Sequence, residues 1–109
     1  MKILRFLLIS FFCIIFKAQS LSADEAKMSK GLEIFNETAG CAACHILKTA
    51  GSEGNIGPNL DTVEGLNYDS VMDIVTHGLG VMPAFGEDEI LTKEEIDIVS
   101  FYVANSVGK

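Results

Sequence analysis

Apolar residues along the chain fall into stretches with different patterns. The first, Phe6 to Phe16, is a nearly unbroken apolar run interrupted only by Ser10. Lys2 and Arg5 precede it, Lys17 closes it, and small residues follow in Ala18-Gln19-Ser20 and Ser22-Ala23. A positive start, a short apolar centre and a small-residue exit form the layout of a secretory signal peptide. The run falls well short of the ~20 residues that cross a bilayer as a helix. Residues 1–23 are therefore expected to be removed, after Ser20 or Ala23, leaving no membrane span. Cys13 leaves with them.

From Asp24 to about Thr38 the pattern is helical. Leu32 and Phe35 lie three apart, and Gly31 sits four before Phe35. Asp24 and Glu25 open this helix, where its dipole favours negative charge. A mid-helix glycine costs about 1 kcal/mol relative to alanine, so Gly31 asks for a packing reason, such as close approach of another helix. Gly40 ends the segment. From Ile46 to Leu60 no period is visible, and the stretch reads as a polar, glycine-rich loop. Asp69 can cap a short helix to about His77, with Val71, Ile74 and Val75 on one face and Gly78 just past its end. Residues 78–86 form a loop of glycines and apolar side chains. Thr92-Lys93-Glu94-Glu95 is a capping box. It opens the clearest helix, with Ile96, Val99, Tyr102 and Val103 on one face. No stretch beyond the leader carries a strand pattern, so the mature chain reads as all-α.

Composition changes this picture in two ways. Part of the 49% hydrophobic content belongs to the leader, and so do three of the eight basic residues. All fifteen acidic residues lie beyond it, so residues 24–109 form one small domain with a net charge of about −10. That balance argues against nucleic acid as a partner and favours a protein with a basic docking surface. A domain of this size has a thin core and often needs a staple.

The candidate staple is written in Cys41-Ala42-Ala43-Cys44-His45. Two cysteines three apart, with histidine directly after the second, form the attachment pattern of a c-type haem. The spacing lets each thiol add to one vinyl group on the same porphyrin edge, and His45 then reaches the iron as proximal ligand. Two other readings exist. A thioredoxin-like redox pair needs a βαβ context, which the pattern lacks. A zinc site needs about four ligands, and the only other histidine is His77.

A proximal histidine usually donates its second ring N–H to a carbonyl or carboxylate. Pro58, in Gly57-Pro58-Asn59-Leu60, has a free carbonyl and no amide proton, and is the candidate acceptor. For the opposite axial position the mature chain offers Met28, Met72, Met82 and His77. Met28 and Met72 sit on helices, where methionine is commonly core filler. His77 ends a helix, where the dipole favours it in any case. Met82 is loop-borne, stiffened by Pro83 and preceded by glycines that let backbone approach a flat ring. It is the first candidate, and His77 is the next.

The order of Gly31…Phe35, the Cys-Ala-Ala-Cys-His motif, Gly57-Pro58-Asn59-Leu60, Val81-Met82-Pro83-Ala84-Phe85 and a final helix with Tyr102 resembles a class I mono-haem cytochrome c. The resemblance covers about residues 28 to 107. It implies an all-α cytochrome c fold, three to five short helices wrapped around one haem c held by Cys41 and Cys44. It implies that the first and last helices cross, with Gly31 and Phe35 meeting the Tyr102 face. It also implies His45 and Met82 as the metal ligands and Pro58 as the acceptor for His45. The chain departs from the family in having no tryptophan and no arginine outside the leader, so Tyr68, Asn67, Asn59 or backbone amides would serve the haem propionates.

Three functions are compatible with these residues. The first is a periplasmic one-electron carrier, not itself an enzyme, since both axial positions are filled by protein. The second is the cytochrome subunit of a periplasmic dehydrogenase, for example one resembling the sulfite-oxidising molybdenum enzymes. The third is a ligand-binding or peroxidatic haem protein, which requires a labile or absent Met82 bond. The acids Glu87, Asp88 and Glu89, just after the Met82 loop, are the expected docking rim for a redox partner.

Overall fold

The computed structural model describes residues 22–109; the apolar leader expected from the sequence lies outside the described residues. Helix α1 (Ala23–Glu33) is capped by Ser22, whose hydroxyl accepts the Glu25 N–H at 3.2 Å. The helix does not stop at Glu33 but widens into a π-turn, Ile34–Thr38, closed by Ala39 N–H on the Ile34 carbonyl at 2.9 Å. Such turns recur next to functional sites. This one delivers the chain to Gly40, whose φ of +70° lies in the left-handed region that glycine adopts without penalty. Cys41–Ala43 then forms a single 3₁₀ turn.

Two elements differ from the sequence reading. The loop after His45 contains a minimal antiparallel ladder, β1 (Ile46–Leu47) with β2 (Ser52–Glu53), Leu47 opposite Ser52. Strands of two residues are too short to show alternation, so no period could announce them. The turn between them ends at Gly51, φ +66°, and Ser52 Oγ accepts the buried Leu47 N–H at 2.8 Å. Helix α2 (Tyr68–His77) is capped by Asn67 and not by Asp69. Asn67 Oδ1 accepts the Ser70 N–H, and Ser70 Oγ accepts the Asn67 N–H, both at 3.0 Å. Asp69 stays in the first turn, where its charge suits the dipole.

Helix α3 (Lys93–Ser106) begins at the expected box, with Thr92 Oγ1 on Glu95 N–H at 3.1 Å and Glu95 Oε1 on Thr92 N–H at 3.0 Å. Its buried face includes Ile96, Val99, Tyr102 and Val103. The helix crosses α1 at Gly31. A Cβ placed on Gly31 would lie 2.3 Å from Tyr102 Cβ and 3.1 Å from the Ile98 carbonyl. Phe35 then meets the Tyr102 ring with centroids 6.0 Å apart and planes tilted by 57°, a favourable aromatic geometry. The crossing explains why this helix tolerates a glycine at its centre.

A polar tie runs along the outside of the helix assembly. Lys27 Nζ of α1 lies 2.9 Å from Asp97 Oδ2 of α3 and 4.7 Å above the Phe101 ring. Tyr68 of α2 donates its hydroxyl to the other oxygen of Asp97. One carboxylate thus joins all three helices, and the contact with Tyr68, then the ammonium of Lys27, holds its pKa below the usual 3.8. Among the described residues no helix is long and apolar enough to cross a membrane. The result is an all-α fold, apart from the small ladder, with its helices arranged around one cavity.

Candidate functional site

The cavity has a volume of about 590 Å³, within the ~300–1,000 Å³ of small-molecule and cofactor sites. Segments far apart in sequence supply its wall. Phe35 comes from the π-turn, Cys41 and Cys44 from the 3₁₀ turn, Val75 from α2, Met82 from the next loop and Val99 from α3. The lining is overwhelmingly apolar. Its exceptional groups are two thiols, one imidazole and one thioether.

The Cys41–His45 segment winds up because the His45 and Cys44 N–H groups both donate to the Cys41 carbonyl, at 2.9 and 3.1 Å. This brings both sulfurs and the imidazole to one cavity. Burial pushes the Cys41 thiol up to about 11; a hydrogen bond from its own backbone opposes this and the nearby Cys44 adds to it. Neither cysteine is in a disulfide.

The segment after Asn55 is pinned against this turn. Gly57 N–H donates to the Cys44 carbonyl at 2.7 Å and Leu60 N–H to the Ile46 carbonyl at 3.0 Å. That places the Pro58 carbonyl oxygen 2.7 Å from His45 Nδ1. A carbonyl can only accept, so Nδ1 carries the proton and Nε2 is left with its lone pair. Gly57 packs flat on the same ring. A Cβ there would come within 2.5 Å of His45 Cε1 and 2.9 Å of Nδ1. Sequence reading gave Gly57 no role, because a loop glycine carries no sign of what it faces.

Met82 lies on the cavity wall in a tight reversal, with Leu79 and Met82 exchanging N–H···O bonds at 3.3 and 3.0 Å. His77 does not line the cavity. Its exposed imidazole is engaged by Glu87, Nδ1 to Oε1 at 2.5 Å, with Asp73 Oδ1 3.7 Å from Nε2. Met28 and Met72 pack against the core. The side chains considered for propionates make other bonds, although the Asn59 amide nitrogen is not engaged by them. Tyr68 donates to Asp97, Asn67 caps α2 and Asn59 Oδ1 accepts the Asp61 N–H at 3.0 Å.

The exposed apolar side chains Ile56, Val63, Leu79 and Val81 also border the cavity, Val81 being 92% exposed. They sit in loops without periodicity, where the only available signal is an apolar residue among polar and glycine neighbours. Among the described residues no three His, Cys, Asp or Glu side chains gather around a possible metal position, so the zinc reading lacks a ligand set. The one ladder is antiparallel, so the thioredoxin reading lacks its βαβ unit. The residues present do fit a haem. Paired thiols, a tautomerically fixed imidazole and a thioether face one apolar cavity, and glycine keeps the imidazole's flank clear.

Comparison with known proteins agrees with this chemistry. Residues 26–103 match the family model described as cytochrome C oxidase, cbb3-type, subunit III. The chain is 33% identical over 107 residues to cytochrome c6 of Rippkaea orientalis, spanning 92% of this chain and 86% of that one. Among solved structures, the c-type cytochrome SorU from Sinorhizobium meliloti is 45% identical, with a TM-score of 0.70 over 78% of this chain and 95% of that chain. The chain belongs to the cytochrome c family, with the fold of the class I mono-haem members and a covalently bound haem c.

Proposed function

We propose that this protein is a periplasmic one-electron carrier with His45 and Met82 as axial ligands. The observation that carries the reading is the single cavity shared by both thiols, the His45 imidazole and the Met82 thioether. When bound, the haem supplies a one-electron iron couple. Cys41 and Cys44 fix it to the chain. His45 offers Nε2 because Pro58 holds the proton on Nδ1 at 2.7 Å, and that hydrogen bond makes the ring a stronger donor. Met82 offers a soft sulfur that favours the reduced metal and raises the potential relative to a second histidine. The apolar lining excludes water. Were His45 and Met82 both to hold the iron, no position would be left for a substrate, which favours electron transfer over chemistry at the metal. The His77 imidazole is committed to Glu87 and Asp73, which favours Met82 as the distal ligand.

A reduced-minus-oxidised spectrum together with the near-infrared sulfur-to-iron band tests this assignment. The parent should show a c-type spectrum and the band. Met82→Ala should lose the band, lower the potential and bind carbon monoxide in the ferrous form. If Met82→Ala keeps the parent spectrum while His77→Ala loses it, the distal position passes to His77. The subunit reading differs in one observable: a dehydrogenase catalytic subunit that co-purifies stably, through high salt, would place the protein in a complex.

A further inference from the structure

The segment between α2 and α3 forms a loop whose tip, Gly80-Val81, is closed by Leu79 and Met82, and whose stem is stitched to the end of α2. Phe85 N–H donates to the Val75 carbonyl at 2.9 Å. Gly86 and Glu87 N–H share the Thr76 carbonyl, at 3.2 and 3.1 Å. These are the carbonyls that the end of a helix leaves without partners. Immediately beyond the stem, His77 Nδ1 meets Glu87 Oε1 at 2.5 Å. Asp73, one turn earlier on α2, faces Nε2 at 3.7 Å. Helix α3 meets the stem with an apolar group, since Ile96 Cδ1 would lie 3.1 Å from a Cβ on Gly86. Among the described residues no lysine pairs with His77, Asp73 or Glu87; the lysine ion pairs are Lys27–Asp97 and Lys30–Glu33.

We propose that the His77–Glu87 pair is a protonation-controlled clasp that positions the Met82 loop, closed while the imidazole is charged and loosened when it is neutral. The effect on the loop stands by itself; the effect on iron rests on the reading of Met82 as distal ligand. The hydrogen bond to Glu87 chiefly, opposed by desolvation and aided by the charges of Glu87 and Asp73, raises the His77 pKa above its usual 6.5. A raised folded value means that the clasp contributes fully below about 6.5 and is lost as pH rises through the raised value. The C-terminal end of α2 favours the same charged form. Both side chains are more than half exposed, so closure should change loop opening by a factor of about two to five, the size of an exposed ion pair. A loop held by three backbone bonds opens in a local equilibrium, where such a factor is measurable.

The test uses the ferrous and ferric holo-protein. Amide hydrogen exchange at Phe85, Gly86 and Glu87, expressed as protection over the free-peptide rate, reads the stem. The near-infrared sulfur-to-iron band reads Met82. Protection at those three amides should fall about two- to five-fold as pH rises through the His77 titration, followed by imidazole NMR, while α3 amides hold theirs. His77→Phe and Glu87→Gln should each give the loosened value at low pH and remove the step, and the double variant should be no looser than either single one. Protection that ignores the His77 titration, single variants that match the parent, or additive losses in the double variant would each overturn the clasp. Absence of the near-infrared band in the parent would overturn Met82 as ligand and leave the exchange result to decide the clasp, so the two failures are told apart.

Discussion

Two glycines, Gly31 and Gly57, act in this structure by what they leave out. At Gly31 the helix forgoes about 1 kcal/mol of propensity so that Tyr102 can sit where a methyl group would be. Replacing Gly31 with alanine should therefore destabilise the holo-protein by ~1–3 kcal/mol, the cost of overpacking, although it improves the local helix. Equilibrium denaturation reads the sign, and a more stable alanine variant would show that α1 and α3 do not press together there. The position clashes with Tyr102 Cβ, near the backbone and not at the end of a flexible side chain, so rotation cannot relieve it. Gly57 plays the same part against the His45 ring, in contact with the proposed ligand.

Among the elements, the Lys27–Asp97–Tyr68 tie is where helix docking responds to acid. Asp97 has a folded pKa below 3.8, so its stabilisation is present above that value and fades as pH falls through the lowered one. The pair is partly exposed, which keeps the expected loss in Asp97→Asn near ~0.2–1 kcal/mol at neutral pH. Urea denaturation at neutral pH and along a descending pH series should show that loss shrinking as the Asp97 carboxylate is protonated. A difference that persists at low pH would mean that packing, and not charge, is what the carboxylate provides. The elements also show how far the sequence could be read. The Thr92…Glu95 box is legible because its side-chain types are those the geometry demands, whereas Gly31 asked only for a packing reason, and the crossing itself came from the resemblance to the family. Asn67 was missed because its box closes through Ser70, not through a glutamate or glutamine, and Asp69 beside it is as good a cap by type. In the site, Cys41, Cys44 and His45 are fixed by covalent spacing, whereas Gly57 and the rim residues Ile56 and Val81 depend on tertiary approach, which no local pattern encodes.

At the scale of the molecule, charge governs how a partner arrives. Residues 24–109 carry all fifteen acidic side chains and five of the eight basic ones, and Asp88 and Glu89 lie exposed just past the Met82 loop. Glu87, expected with them at the docking rim, is already engaged by His77, so reversal is better made at its two neighbours. Asp88→Lys with Glu89→Lys should slow electron exchange with a basic partner at low ionic strength and flatten its salt dependence, with the potential little changed. Stopped-flow rates across a salt series provide the check. Rates that ignore salt in parent and variant alike would point to a permanent, apolar subunit interface.

The contact between Gly31 and Tyr102 also imposes an order in time. It joins the first helix to the last, so it cannot form before Tyr102 has been made. A chain made N-terminus first presents Cys41 and Cys44 well before Val99 and Val103, the residues of α3 that line the cavity. Until α3 arrives, the thiols stand in an unfinished cleft, reachable by whatever brings the cofactor. Once it docks, Val99 and Val103 close the wall of the cavity that the two cysteines line, so attachment of the cofactor should precede that last step.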